Sequence, residues 1–143
     1  MIRGSLLVKG GRLVDPSLGL DALRDVRITG GIVYEIGERL EAREGEAVFD
    51  ASNAIVAPGF VDMHVHLREP GFSEKETVAT GTEAAVRGGF TAVACMPNTQ
   101  PALDDTTGLS LLLQNVSANA RCVVYPIAAI TRGRAGTEPC DYV

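Results

Sequence analysis

The chain has 143 residues and two histidines, His64 and His66, which follow closely on the apolar run Ala57-Pro58-Gly59-Phe60-Val61. In an extended strand, residues two apart project from the same face. At about 3.3 Å of rise per residue, the two side chains start roughly 6.6 Å apart. Imidazoles leaning together across such a gap can share one metal ion at about 2.0–2.1 Å each. A solvated or hydrogen-bonded pair is the plainer alternative, although an unligated pair is costly to bury on an apolar strand. Catalytic zinc normally takes three protein ligands and a water, so His64 and His66 make part of a metal site whose other ligands come from elsewhere. Asp62 lies one pleat deeper on the same face and is read as a supporting or core group, not a ligand.

Arg68 follows two residues after His66. Its planar fork can clamp a carboxylate in a bidentate fashion; the bland alternative is a loop salt bridge to Glu69 or Glu74. Asn98 stands in Met96-Pro97-Asn98-Thr99, where it either caps the turn after Pro97 or faces the same pocket as Arg68. A cation and an amide converging beside a metal suit an anionic, carboxylate-bearing substrate.

The elements that must position these groups are legible in outline. Residues 1–57 read as a small β-rich module. Ser5-Leu6-Leu7-Val8 and Arg12-Leu13-Val14 are short runs separated by Gly10-Gly11, and Thr29-Gly30-Gly31 is a hairpin signal between two further runs. Ala47-Val48-Phe49 and Ala54-Ile55-Val56 complete it. From residue 58 to 143 the rhythm is β-α-β-α-β. Phe60 to His66 is the first strand, and Ser73 with Glu76 reads as a capping box opening a helix that ends at Gly88-Gly89. Thr91 to Met96 is a buried strand stopped by Pro97. Asp105 or Thr106 caps a second helix, in which Leu109, Leu112, Leu113 and Val116 form one apolar face. Cys122 to Ile130 is a third strand. Parallel strands with right-handed crossovers follow from that order, and the histidines then sit at the C-terminal end of the first strand, where barrel enzymes carry their sites. A complete (β/α)8 barrel needs roughly 250 residues. The α/β part is therefore expected to be the N-terminal portion of a TIM-type barrel, with about three strands present, and the chain to continue beyond Val143.

Composition excludes several classes. The chain is 45% hydrophobic and 22% charged with a net charge of −5, and its dispersed basic residues offer no stripe to a nucleic acid. No apolar stretch approaches a membrane span, and Met1-Ile2-Arg3-Gly4 leads into no signal-peptide core. Three widely spaced cysteines, Cys95, Cys122 and Cys140, form neither a disulfide framework nor a cysteine zinc site. They fit packing roles in a reducing cytoplasm.

The stretch Pro58-Gly59-Phe60-Val61-Asp62-Met63-His64-Val65-His66-Leu67-Arg68-Glu69-Pro70-Gly71 resembles the signature of the dihydroorotases of the amidohydrolase superfamily. The likeness continues through Lys75-Glu76-Thr77, Gly81-Thr82-Glu83-Ala84-Ala85, Gly88-Gly89-Phe90-Thr91 and Met96-Pro97-Asn98-Thr99, and the β-rich start fits that family's small composite domain. The resemblance implies a metal-dependent, reversible conversion of N-carbamoyl-L-aspartate to L-dihydroorotate and water in de novo pyrimidine (UMP) biosynthesis. It implies one or two Zn2+ ions, with His64 and His66 as ligands, and a substrate side formed by His66, Arg68 and Asn98, of which Arg68 and Asn98 hold the α-carboxylate. The remaining ligands and the catalytic aspartate are expected beyond residue 143; Asp104, Asp105 and Asp141 are not assigned to them. A homo-oligomer or an aspartate transcarbamoylase partner also accords with the family.

Three other readings stand beside this one. A hydantoinase or allantoinase shares the His-x-His, but its substrate lacks the α-carboxylate that Arg68 and Asn98 would serve. A non-catalytic dihydroorotase-like scaffold subunit has no physical need of an intact His-Val-His-Leu-Arg. A truncated product would leave an open parallel-strand edge prone to aggregation.

Overall fold

The computed structural model describes residues 4–142 and divides the chain into two units, with the boundary between Pro58 and Gly59. Met1, Ile2 and Arg3, on which the signal-peptide reading partly rested, lie outside the described residues.

The first unit is a sheet of β1 (Ser5–Asp15), β2 (Leu20–Thr29), β3 (Ile32–Gly37), β4 (Ala47–Asp50) and β5 (Ile55–Val56). The order is β3-β2-β1-β4, with β5 also paired to β1. β1–β2 and β2–β3 are antiparallel, whereas β4 and β5 add in parallel along successive parts of β1. The two runs expected at 5–8 and 12–14 are one strand. Its pairing with β2 slips between Val8 and Gly11, and Gly10 has a φ of +74°, so the glycines bulge the strand without ending it. Asp25, 4% exposed, secures the bulge: Oδ1 accepts the Gly10 N–H at 2.7 Å and Oδ2 the Leu40 N–H at 2.8 Å. The expected hairpin is present, with Gly30 and Gly31 at φ +60° and +83°, as a type I′ turn demands.

Leu7, Leu13, Val26 and Ala51 are buried in this unit, and so is Arg27. The Arg27 guanidinium donates from Nε to Glu46 Oε1 at 2.8 Å, from Nη1 to Glu35, and from Nη2 to the Glu41 carbonyl at 2.6 Å. The Arg27 contact, aided by the Ser5 hydroxyl, holds the Glu46 carboxyl down to about 2.

The second unit contains β6 (Phe60–Val65), α1 (Val78–Arg87), β7 (Phe90–Cys95), α2 (Thr106–Asn119) and β8 (Val123–Pro126). Its sheet has the order β6-β7-β8, and both pairings are parallel, in keeping with the expected β-α-β-α-β succession. Leu67, Val78, Val93, Cys95, Leu103, Leu112 and Val124 form the core between helices and sheet. Val78 and Leu103 are fully buried, and burial of such side chains contributes about 1.5–3 kcal/mol each.

Four local expectations are corrected. Helix α1 starts at Val78, not after Ser73, because Thr77 is the N-cap: its Oγ1 accepts the Thr80 N–H at 3.0 Å while Thr80 Oγ1 accepts the Thr77 N–H at 3.1 Å. The first strand ends at Val65, so His66 opens the following loop. The third strand is confined to Val123–Pro126, short of the run to Ile130. Leu113 is half exposed; Leu112 carries the buried face of α2, with Leu109 and Val116 against the core. Asp105 caps α2 as expected, accepting the Gly108 N–H at 2.6 Å.

Candidate metal and carboxylate site

Strand β6 and the loop after it carry both histidines. Val65 and Leu67 pack into the core, so the alternation of the chain turns His64 and His66 to the other side. Pairing with β7 is interrupted between Asp62 and Val65, a local irregularity of the kind that re-aims side chains near sites. The Asp62 carboxylate accepts the His64 N–H at 3.0 Å, a backbone-supporting role at the irregularity. The two imidazole rings stand 5.3 Å apart, centroid to centroid, at 68° to one another.

Strand β7 delivers Asn98. The Met96 N–H donates to the Val65 carbonyl at 2.9 Å, joining the ends of the two strands. Beyond it, Thr99 is buried and its hydroxyl donates to the Pro101 carbonyl at 2.8 Å. Asn98 Oδ1 then lies 2.8 Å from His66 Nδ1. His66 is thus in contact with Asn98 on one side and near His64 on the other, and the Asn98 side-chain oxygen is engaged with a histidine.

Arg68 lies on the same loop in a left-handed conformation, φ +65°. Among the described residues it forms no ion pair, neither with Glu69 nor with Glu74. Glu69 is engaged elsewhere. Its Oε2 accepts the Val78 N–H at 2.8 Å and the Asn115 Nδ2 at 3.0 Å, and its Oε1 accepts from Ser73 Oγ at 3.3 Å. Glu69 therefore fastens the Arg68 loop to the start of α1 and to α2. The sequence reading missed this role, because no local spacing rule joins residue 69 to residues 78 and 115. The same loop touches the β7 loop at Gly71, where the Gln100 N–H donates to the Pro70 carbonyl at 3.0 Å. A cavity of about 340 Å³ lined by Glu69, Gly71, Leu111 and Asn115 lies beside it, and its lining includes neither histidine.

The donor chemistry fits a zinc ion in part. Two neighbouring imidazoles offer nitrogen donors, and where His66 Nδ1 carries the proton directed at Asn98 Oδ1, its Nε2 keeps a lone pair. No group of three histidine, cysteine or carboxylate side chains converges among the described residues. Cys95 is in the core, where burial pushes its thiol up, away from the thiolate a ligand requires.

Comparison with known proteins bears on the same segment. Over 132 residues the chain is 51% identical to a dihydroorotase of Citrifermentans bemidjiense, covering 92% of this chain and 31% of that protein. It is 50% identical over 137 residues to a dihydroorotase of Anaeromyxobacter dehalogenans, covering 96% and 32%. The chain thus spans about a third of the length of these relatives. Among solved structures, an L-hydantoinase (dihydropyrimidinase) from Arthrobacter aurescens matches 88% of this chain and 28% of its own with a TM-score of 0.80 at 22% identity. A D-hydantoinase from Thermus sp. matches the same shares with a TM-score of 0.73 at 30% identity. The model of the Dihydro-orotase-like family matches residues 53–143, the stretch that holds both histidines, Arg68 and Asn98, and on that match the chain belongs to the dihydroorotase-like family.

Proposed function

We propose that the protein is a zinc-dependent dihydroorotase, interconverting N-carbamoyl-L-aspartate and L-dihydroorotate, and that this chain supplies part of its site. On this reading β6, β7 and β8 are the first strands of a (β/α)8 barrel, and residues 1–57 belong to a small composite domain. His64 and His66 would hold the zinc. When bound, the ion supplies Lewis acidity toward the ring carbonyl and an activated water. Arg68 and Asn98 would orient the substrate by its α-carboxylate, Arg68 through a bidentate pair and Asn98 through its amide N–H groups. The observation that carries the reading is the meeting of His64, His66 and Asn98 at the ends of adjacent parallel strands, beside an arginine with no ion-pair partner among the described residues.

Hydantoinase activity is the second reading, favoured by the structural likeness to hydantoinases. The two differ in one substrate group, the carboxylate. Ring opening of L-dihydroorotate and of dihydrouracil, which lacks that carboxylate, should be assayed with the full-length protein. A site with a committed carboxylate clamp favours dihydroorotate by at least about 100-fold in kcat/KM. Equal or better turnover of dihydrouracil would transfer the assignment to the hydantoinases.

A further inference from the structure

The contact between His66 Nδ1 and Asn98 Oδ1, 2.8 Å, allows two proton arrangements with different consequences. If Nδ1 carries the proton, the amide oxygen accepts it, Nε2 keeps its lone pair, and the Asn98 NH2 group remains free to donate. If Nε2 carries the proton, the amide must present its nitrogen to Nδ1. Histidine then has no ligand lone pair at Nε2, and Asn98 offers its oxygen to any neighbouring anion. Histidine tautomer, amide orientation and competence for both ligands are therefore one coupled choice.

We propose that Asn98 is a positioning residue for His66: its Oδ1 fixes the Nδ1–H tautomer, leaving Nε2 for the metal and the Asn98 amide N–H groups for the substrate carboxylate. This rests on the reading of His66 as a zinc ligand and gives Asn98 a role before any substrate arrives. The surrounding residues support it beyond the single distance. Asn98 is held by its neighbours: Pro97 accepts the Leu103 N–H at 3.2 Å through its carbonyl, and Thr99 is buried and bonded to Pro101. His66 is bracketed by the core-packed Val65 and Leu67. Neither partner has to be ordered at the moment the ion binds. Hydrogen-bond partners of this kind typically alter metal affinity by about 10–100-fold when removed.

The test is the Zn2+ affinity of the full-length protein, measured by competition with a chromophoric chelator in the absence of substrate. Asn98→Leu should weaken binding by about 10–100-fold. Asn98→Asp, whose carboxylate only accepts, should bind Zn2+ at least as well as the unaltered protein yet show a raised KM for dihydroorotate, because it places a like charge by the substrate carboxylate. Long-range 15N–1H correlation spectra of the metal-free protein should show the His66 proton on Nδ1, a readout that needs no variant. Unchanged affinity in Asn98→Leu, with affinity lost in His66→Ala, would overturn the positioning role and leave the metal site standing. A proton on Nε2 in the metal-free protein would overturn it as well. Affinity retained in His66→Ala would instead remove the ligand assignment on which the proposal rests.

Discussion

Glu69 accepts a hydrogen bond from Asn115 at 3.0 Å while also accepting the N–H of Val78, the first residue of α1. One carboxylate thus satisfies an unpaired N–H at a helix start and joins the loop bearing Arg68 to α2. Glu69→Ala removes the acceptor of both hydrogen bonds and should cost about 1–3 kcal/mol in urea unfolding. A double-mutant cycle with Asn115→Ala should show coupling of about 0.5–1.5 kcal/mol, since the two side chains touch. Strict additivity would mean that the contact does not contribute.

Gly71 is where the loops after β6 and β7 meet. It has a φ of +99°, and a Cβ there would stand 2.2 Å from the Gln100 carbonyl oxygen. Gly71→Ala must therefore strain its backbone and push the two loops apart. A loss of about 1–3 kcal/mol is expected from the backbone alone, read as a lower urea midpoint, together with reduced Zn2+ affinity. An unaltered midpoint would contradict this account of the loop contact.

Arg68 is expected to act on the substrate and not on the fold. Arg68→Met should lower kcat/KM for dihydroorotate by about 10–100-fold, the worth of a charge-assisted pair, while the unfolding midpoint stays near that of the unaltered protein. Full activity in the variant would remove the reason for assigning a carboxylate-bearing substrate.

The first unit has its own pH signature. Arg27 holds the Glu46 carboxyl down from 4.5 to about 2. A depressed carboxylate contributes stability that is present above the unfolded-state value and is lost as pH falls through the folded-state value. The stability contributed by Glu46 should thus decline from about pH 4.5 toward pH 2. Glu46→Gln should be less stable at neutral pH and should flatten that acid slope. An acid slope identical in the variant would show that Glu46 is not responsible.

Much of the second unit was legible because its signals are local. An apolar run stopped by Pro97 becomes β7, Asp105 caps α2, and Gly88-Gly89 follows the last turn of α1. The nearness of His64 to His66 agrees with their two-residue spacing, although β6 ends at Val65 and His66 opens the loop after it. What escaped depends on contacts distant in sequence. Glu69 reaches residues 78 and 115, and Asp25 holds the Gly10 bulge that merges two expected strands into one. Ser73 and Glu76 match a capping pattern, yet Thr77 and Thr80 form the box, because Glu69 already fixes where the chain enters α1. Asn98 was singled out from its place after the second strand, but its bond to His66 required the register of β6 against β7.

The central claim is that His64 and His66 serve a zinc-dependent ring-opening of dihydroorotate. Its most direct test is the rate of that reaction in the full-length protein after chelation and after stoichiometric return of Zn2+, in the unaltered protein and in His64→Ala. The account predicts activity lost on chelation, restored by Zn2+ in the unaltered protein, and not restored in His64→Ala. Full activity in the metal-free protein, or full restoration in His64→Ala, would contradict it.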